Sequence, residues 1–314
     1  MNTLGGFLAV IFWSLSIPLS RSLTERLGMF NTAGLACLFG GIAAVLYYAV
    51  AYRSRFRTLT KFSSRYLMFC GTTFVLYMTF IYAAIGMASS RQQIVEVGLI
   101  NYLWPTFVLI FSIPILKNKA SPWLILGTMV SISGIVLVDA SMNKEDFSIQ
   151  NSLMNLKCNF VPYMLALGAA VLWSLYSNLA NRMGELSNKL TVPLLLIVSG
   201  IFLEILSVGF QEKAVWDGAV LVELSILALF PCVIAYILWD AAMRRGNMIL
   251  VTSFAYLSPL ISTILTGLYL GVTLVLGVWI SCALVIAGAV ICTFSVRKQN
   301  HEHHIQQRQA EGSN

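Results

Sequence analysis

Apolar residues run along this chain in blocks of about twenty, separated by short polar stretches. A helix rises about 1.5 Å per residue, so roughly 20 apolar residues cross the hydrocarbon of a bilayer. Ten blocks can be placed, at 3–22, 32–52, 66–87, 94–116, 122–140, 160–180, 190–210, 220–242, 248–270 and 275–296. The pattern predicts an all-α integral membrane protein with ten transmembrane helices. The longest polar interval, 141–159, divides the blocks five and five. The first block begins almost at Met1, with no basic segment before it and no small-residue cleavage site, and reads as a retained helix.

Composition agrees. Of 314 residues, 58% are hydrophobic and 11% are charged, against about 25% charged in soluble domains. Too few polar side chains remain to clothe a soluble surface. The net charge of +7 is not a nucleic-acid footprint, because the basic residues sit between apolar blocks. Connections on the side of the two termini carry 14 of them: Arg53, Arg55, Arg57, Lys61, Arg65, Lys117, Lys119, Arg182, Lys189, Arg244, Arg245, Arg297, Lys298 and Arg308. The opposite side carries 6: Arg21, Arg26, Arg91, Lys144, Lys157 and Lys213. Basic loops stay in the cytoplasm, so both termini are expected there. Five of the six cysteines lie in or beside apolar blocks and read as small buried hydrophobes. No cofactor or metal site is expected.

The two groups of five echo each other. Trp13-Ser14-Leu15-Ser16 returns as Trp173-Ser174-Leu175-Tyr176, and Tyr102-Leu103-Trp104-Pro105 returns as Tyr256-Leu257-Ser258-Pro259. Ser133-Gly134-Ile135-Val136 corresponds to Ala287-Gly288-Ala289-Val290. Five is odd, so two such halves enter the membrane in opposite senses. Inverted repeats are a recurrent carrier design, with the substrate site between the halves near the midplane. The expected organisation is a first repeat at 1–140, a connecting loop at 141–159, a second repeat at 160–296 and a polar cytoplasmic tail at 297–314.

Four stretches carry a family resemblance: FWSLSIPLSRSL at 12–23, RQQIVEVGLINYLWPTF at 91–107, LWSLYSNLANR at 172–182 and AYLSPLISTILTG at 255–267. They resemble the drug/metabolite transporter superfamily, specifically its EamA-type members. The resemblance spans about residues 1–296. It implies a ten-helix inverted-repeat fold, a central substrate cavity, and residence in a bacterial inner membrane. The second stretch is most similar to members that export aromatic amino acids from the cytoplasm. Other members of the superfamily carry purine-like compounds or nucleotide sugars, so fold leaves the substrate class open.

An aromatic amino acid needs an apolar or aromatic wall for its ring and dipoles for its charged groups. Candidate substrate contacts are Trp104, Asn101, Tyr102, Tyr82, Tyr77, Trp173, Tyr176, Trp239, Tyr256 and Ser258. Trp104 faces Ser258 across the repeat, and a substrate without two-fold symmetry asks for such unequal walls. Packing between helices explains Trp104 equally simply, as it does Trp13. The Asn101 amide suits either a substrate carboxylate or a bridge between helices. Pro105 and Pro259 are candidate hinges, since each lacks the amide proton that would continue a helix. Glu96 and Asp240 are candidates for coupling to protons. A carboxylate in the bilayer centre costs about 2.5–3.5 kcal/mol, and the alternatives are an Asp240–Arg244 ion pair and a solvated Glu96. All three histidines lie in the tail, which leaves no Asp–His or Glu–His relay in the apolar blocks. Gly127, Ser131, Gly134, Gly277, Ser281 and Gly288 mark close packing, either as scaffold or as a dimer face. The chain shows no catalytic constellation, so an enzyme is not expected. The partners expected are a small-molecule substrate, lipid and protons, the protein being a monomer or a homodimer. A channel would show a selectivity filter or pore-lining charges.

Overall fold

Lipid offers no hydrogen bonds to a backbone, so each membrane segment must satisfy its own N–H and C=O groups. The computed structural model answers with helices throughout. It describes residues 2–53, 62–142, 160–186, 188–245, 251, 254–255 and 258–297. The helices are α1 (Asn2–Ser14), α2 (Ser16–Leu27), α3 (Met29–Ala51), α4 (Ser64–Tyr66, Leu67–Gly71 and Thr72–Met87), α5 (Arg91–Asn101) and α6 (Trp104–Leu116). They continue as α7 (Trp123–Met142), α8 (Phe160–Arg182), α9 (Thr191–Gly209), α10 (Gly218–Leu227, Ala228–Ile234 and Ala235–Arg245), α11 (Ser258–Leu270) and α12 (Leu276–Ser295). Among the described residues, 8 helical stretches are long and apolar enough to cross a bilayer, and Trp123–Gly134 and Ser258–Leu270 are shorter apolar helices. The protein is an all-α, multi-pass membrane protein. A two-residue bridge, β1 (Lys119–Ala120) with β2 (Val296–Arg297), adds the strand structure.

Most expected boundaries agree within a few residues. The first block is an exception, because α2 runs to Leu27 rather than stopping at 22. Its last turns are held by ion pairs: Arg21 with Glu25 at 2.8 Å, and Arg26 with Glu223 at 2.5 Å. Most of the 141–159 loop, Tyr256, and the tail beyond Arg297 lie outside the described residues, as do the side chains of Arg244 and Arg245.

Four rods are interrupted, three of them beside a proline. Pro18 cannot donate to the carbonyl of Ser14, and the helix breaks at Leu15 between α1 and α2. The rod containing Pro105 breaks at Tyr102–Leu103, and α6 restarts at Trp104. α4 and α10 each contain a π-helical stretch, Leu67–Gly71 and Ala228–Ile234, the latter around Pro231. Such single π turns are frequent at functional sites.

The turn from α2 into α3 shows how polar groups organise the ends. Gly28 adopts φ 92°, a conformation that side-chain-bearing residues rarely take. The carboxylate of Glu212 then accepts the N–H groups of Met29, Phe30 and Asn31 at 2.9–3.2 Å. It caps α3 from the α9–α10 connection, and a Cβ on Gly28 would come within 2.6 Å of it.

Small residues set the closest helix pair. α7 and α12 pack through Gly127, Ser131 and Gly134 against Gly288 and Ser281; a Cβ on Gly288 would lie 2.4 Å from the Gly127 carbonyl. In lipid, helices gain by such close backbone approach rather than by hiding from water. These glycines and serines are spent inside the chain, as scaffold. Cys37, Cys70, Cys232, Cys282 and Cys292 are buried free thiols, as their apolar surroundings suggested.

Candidate functional site

Three of the four interruptions, all but that of α4, converge on one cavity. Its wall takes Trp13, Ser16, Ile17 and Ser20 from the α1–α2 rod and Tyr77, Ile81, Tyr82 and Ile85 from α4. The α5–α6 break contributes Asn101, Tyr102 and Trp104; Trp173 comes from α8, Pro231, Cys232 and Tyr236 from α10, and Ser258 from α11. The hollow spans about 650 Å³, part of it open rather than enclosed.

One face of the cavity is an aromatic cluster. Trp13 lies 5.3 Å from Trp173, 5.2 Å from Tyr236 and 5.1 Å from Trp239 by ring centroids. Trp104 meets Trp239 edge-on at 5.3 Å and 87°, and Tyr77 lies 4.9 Å from Trp173. Edge-to-face and offset geometries of this kind favour mutual packing and leave ring faces for a further aromatic group.

Hydrogen bonds hold the walls. Trp13 Nε1 donates to the Pro231 carbonyl at 3.1 Å, joining the first break to the π-helical stretch of α10. Ser16 Oγ donates to the Trp13 carbonyl at 2.6 Å beside the break at Leu15. From α8, Ser174 Oγ donates to the Trp104 carbonyl at 2.8 Å and Asn178 Nδ2 to the Val108 carbonyl at 3.0 Å, which ties α6 to α8. By contrast, Asn101 Oδ1 is buried with no hydrogen-bond partner. An unpaired polar atom in an apolar site is costly, and a ligand donor would relieve it.

No Asp, Glu, Lys, Arg or His lines the cavity among the described residues. Charged groups stand at its rim instead. Beyond Ser20 and Ile85, Arg21 donates to the carbonyls of Ile85 (2.9 Å) and Ala88 (3.1 Å). Glu25 links Arg21 to Arg91 at 2.6 Å, and Arg91 donates to the Leu270 carbonyl at 3.2 Å. The cluster fastens α2, α4, α5 and α11 at one end. Its bond to Glu25 raises the Arg91 guanidinium further above its ordinary value.

The expected contacts divide by position. Trp104, Asn101, Tyr102, Tyr82, Tyr77, Trp173 and Ser258 reach the wall. Tyr176 and Trp239 do not; they stand behind it, packed on Trp173 and Trp104. Tyr256 lies outside the described residues. Trp13, Ser16, Ser20 and Tyr236 also line the wall and were not expected to. Pro18 was the available signal for the first three, since a proline inside a helix marks a break where side chains can turn inward. Pro105 and Pro259 are each the second residue of a helix, α6 and α11, where the missing N–H has no partner to lose. Pro105 thus begins α6 after the break at Tyr102–Leu103 rather than kinking a continuous helix; the residues just before Ser258 lie outside the described residues. Glu96 is buried, not solvated: it is 5% exposed and accepts from the Tyr163 hydroxyl of α8. Asp240 is likewise buried, and neither carboxylate lines the cavity.

A multi-pass helical protein with broken rods around a central neutral cavity is a small-molecule carrier. The EamA-like transporter family matches at residues 2–139 and again at 161–294, and the chain belongs to that family. It is a family of carriers, not of enzymes. The aromatic amino acid exporter YddG of Salmonella typhimurium is 26% identical over 298 residues, 95% of this chain and 98% of that protein. Its namesake from Ancylobacter novellus is 28% identical over 300 residues, 94% of this chain and 98% of that one. A solved crystal structure with 26% sequence identity superposes with a TM-score of 0.69, covering 93% of this chain and 96% of the other.

Proposed function

We propose that this carrier exports aromatic amino acids from the cytoplasm by alternating access. The observation that carries the proposal is the wall chemistry: aromatic rings on one face, an unpartnered Asn101 Oδ1, and no charged side chain. An amino acid zwitterion has no net charge to neutralise. Its ring fits the tryptophan faces, its ammonium suits Asn101 Oδ1 and the aromatic faces, and hydroxyls of Ser16, Ser20 and Ser258 suit its carboxylate. A nucleotide sugar brings two phosphate charges, and this wall offers them no cation. A neutral purine shares the aromatic requirement and is the second reading. The exporters named above cover nearly the same length, which supports the first.

The same proposal includes ten transmembrane helices in two inverted five-helix repeats, 1–140 and 160–296, in a bacterial inner membrane with both termini cytoplasmic. Three observations support it. The family matches twice, once in each half. The third rod of each half carries a π-helical stretch, α4 and α10. In the fourth rod of each half, proline is the second residue of a described helix, Trp104-Pro105 and Ser258-Pro259. These prolines are the hinges of the reading, and the Arg21–Glu25–Arg91 cluster is its outer gate. For proton coupling, Glu96 is a candidate because its bond to Tyr163 joins the first half to the second, and buried Asp240 remains the other.

Purified protein in liposomes tests the reading. Saturable flux of tryptophan and phenylalanine, each competing with the other and neither with a nucleotide sugar, is expected. Preferential competition by adenine moves the assignment to purines. Flux linear in concentration, without competition, rejects a carrier in favour of a pore.

A further inference from the structure

At the rim of the cavity one side-chain carboxylate is gripped by two arginines. Glu25 Oε1 accepts from Arg21 Nε at 2.8 Å and from Arg91 Nε at 3.2 Å, and Glu25 Oε2 accepts from Arg91 Nη2 at 2.6 Å. The Arg91 guanidinium thus holds both carboxylate oxygens in a fork, and Arg21 adds a third donor. Planar forks of this kind recognise carboxylates by shape as well as by charge. Each arginine also has an anchor other than Glu25. Arg21 donates to the Ile85 and Ala88 carbonyls of α4, and Arg91 to the Leu270 carbonyl at the end of α11.

This carboxylate receptor adjoins the cavity. Ser20 and Ile85 line the wall, Arg21 follows Ser20 in the chain, and its guanidinium bonds to the Ile85 carbonyl. A zwitterion moving past Ser20 meets at the rim the cations that the described wall lacks. The receptor is also reachable, because the side chains of Glu25 and Arg91 are 30% and 47% exposed. An exposed ion pair contributes little net stability, so one carboxylate exchanges for another at little cost.

We propose that Arg21 and Arg91 form an exit site for the carboxylate of the transported molecule, with Glu25 as its built-in competitor. When the substrate carboxylate takes the fork, Glu25 releases Arg91, and the tie between α2 and α5 opens. The rim then yields to molecules that bring a carboxylate of their own. The proposal rests on the carrier reading and narrows its cargo to aromatic compounds bearing a carboxylate.

Flux into proteoliposomes tests it, with tryptophan as substrate and its carboxylate-free analogue tryptamine as competitor. Glu25→Gln removes the internal competitor and keeps the side-chain shape. It is expected to lower the tryptophan concentration for half-maximal flux by about threefold or more, because the fork is no longer occupied. Arg91→Gln removes the fork and is expected to raise that concentration by about tenfold or more. Inhibition by tryptamine is expected to change by less than about twofold in both variants. Shifts of tryptophan in the same direction in the two variants overturn the proposal, because the cluster is then a latch alone. Shifts of tryptamine equal to those of tryptophan overturn it too, because the rim then acts on the ring or on the gate. Thermal unfolding in detergent establishes that each variant is folded. If Arg91→Gln does not fold, the Glu25→Gln response decides, and a gain for tryptophan without one for tryptamine is required. Absence of tryptophan flux in the wild type overturns the amino acid reading and this proposal with it; normal wild-type flux with the wrong variant response overturns this proposal alone.

Discussion

Trp104→Ala offers the sharpest test of the aromatic wall. Trp104 is 5% exposed, lines the cavity, and meets Trp239 and Trp173 edge-on with ring centroids 5.3 and 6.5 Å away. A favourable aromatic pair is worth about 0.5–1.5 kcal/mol beyond area burial. A substrate ring seated on Trp104 would lose one such pair and part of its apolar contact. Taking about 2 kcal/mol for the two together gives a roughly 30-fold weaker apparent affinity. Trp104→Phe keeps a ring and loses only part of the contact, so a loss of less than about 5-fold is expected. Removing the indole also leaves a void, which in protein interiors costs about 3–5 kcal/mol for Trp→Ala. Thermal unfolding in detergent must therefore accompany the flux measurement. Trp239→Phe is the control, since Trp239 packs behind Trp104 without lining the cavity. The assay is the concentration of tryptophan giving half-maximal flux in proteoliposomes with equal folded protein. Unchanged half-saturation in folded Trp104→Ala refutes the reasoning. So does an equal loss in Trp239→Phe, because packing alone would then account for both.

Asn101→Leu removes a buried amide whose oxygen has no partner. It is expected to weaken substrate binding by about 1–3 kcal/mol while leaving thermal stability unchanged or higher; both flux and unfolding temperature are measured. Gly288→Ala forces a Cβ to within 2.4 Å of the Gly127 carbonyl and 2.3 Å of Ser131 Oγ. Overpacking against backbone is expected to cost at least about 1–3 kcal/mol, read as a lower unfolding midpoint, and an unchanged midpoint contradicts the close seam. Glu212→Ala leaves three N–H groups of α3 uncapped and is expected to cost about 1–2 kcal/mol by the same measurement. The Val220 N–H, and then Arg26, hold the Asp217 carboxyl below its ordinary value. A lowered folded value means that the stabilisation is present above the unfolded pKa of about 3.9 and is lost as pH falls through the folded one. Asp217→Asn keeps a capping oxygen and should remove that acid-side slope from an unfolding-versus-pH profile.

Much of the fold was legible because the bilayer imposes a length rule. Blocks of apolar residues marked the helices, and the helix ends found agree except at α2, where ion pairs across the rim carry the helix on to Leu27. Side-chain burial was legible where chemistry is strongly biased, as for the cysteines. The cavity was partly legible through repetition: Tyr102 and Trp104 stood out because the Tyr-Leu-x-Pro frame occurs twice. Trp13 lines the wall without having been among the expected contacts, while Tyr176 and Trp239 pack behind it. A helix that is apolar all round gives no periodic signal of which face points inward.

By itself the sequence determined the solvent, the helical class, most of the helix boundaries and the family. Those properties depend on composition and on motifs local to a stretch of chain. Only the tertiary structure decided which faces meet. It put Trp13 into the cavity by breaking the first rod at Leu15, made Pro105 the start of a helix rather than a kink, and set Glu96 against Tyr163. It also spent the glycines of α7 and α12 on each other. The physical reason is common to all four. Within lipid, apolar surface is nearly neutral about where it points, so helix rotation is settled by backbone contact and by the few polar groups that must find a partner across the fold.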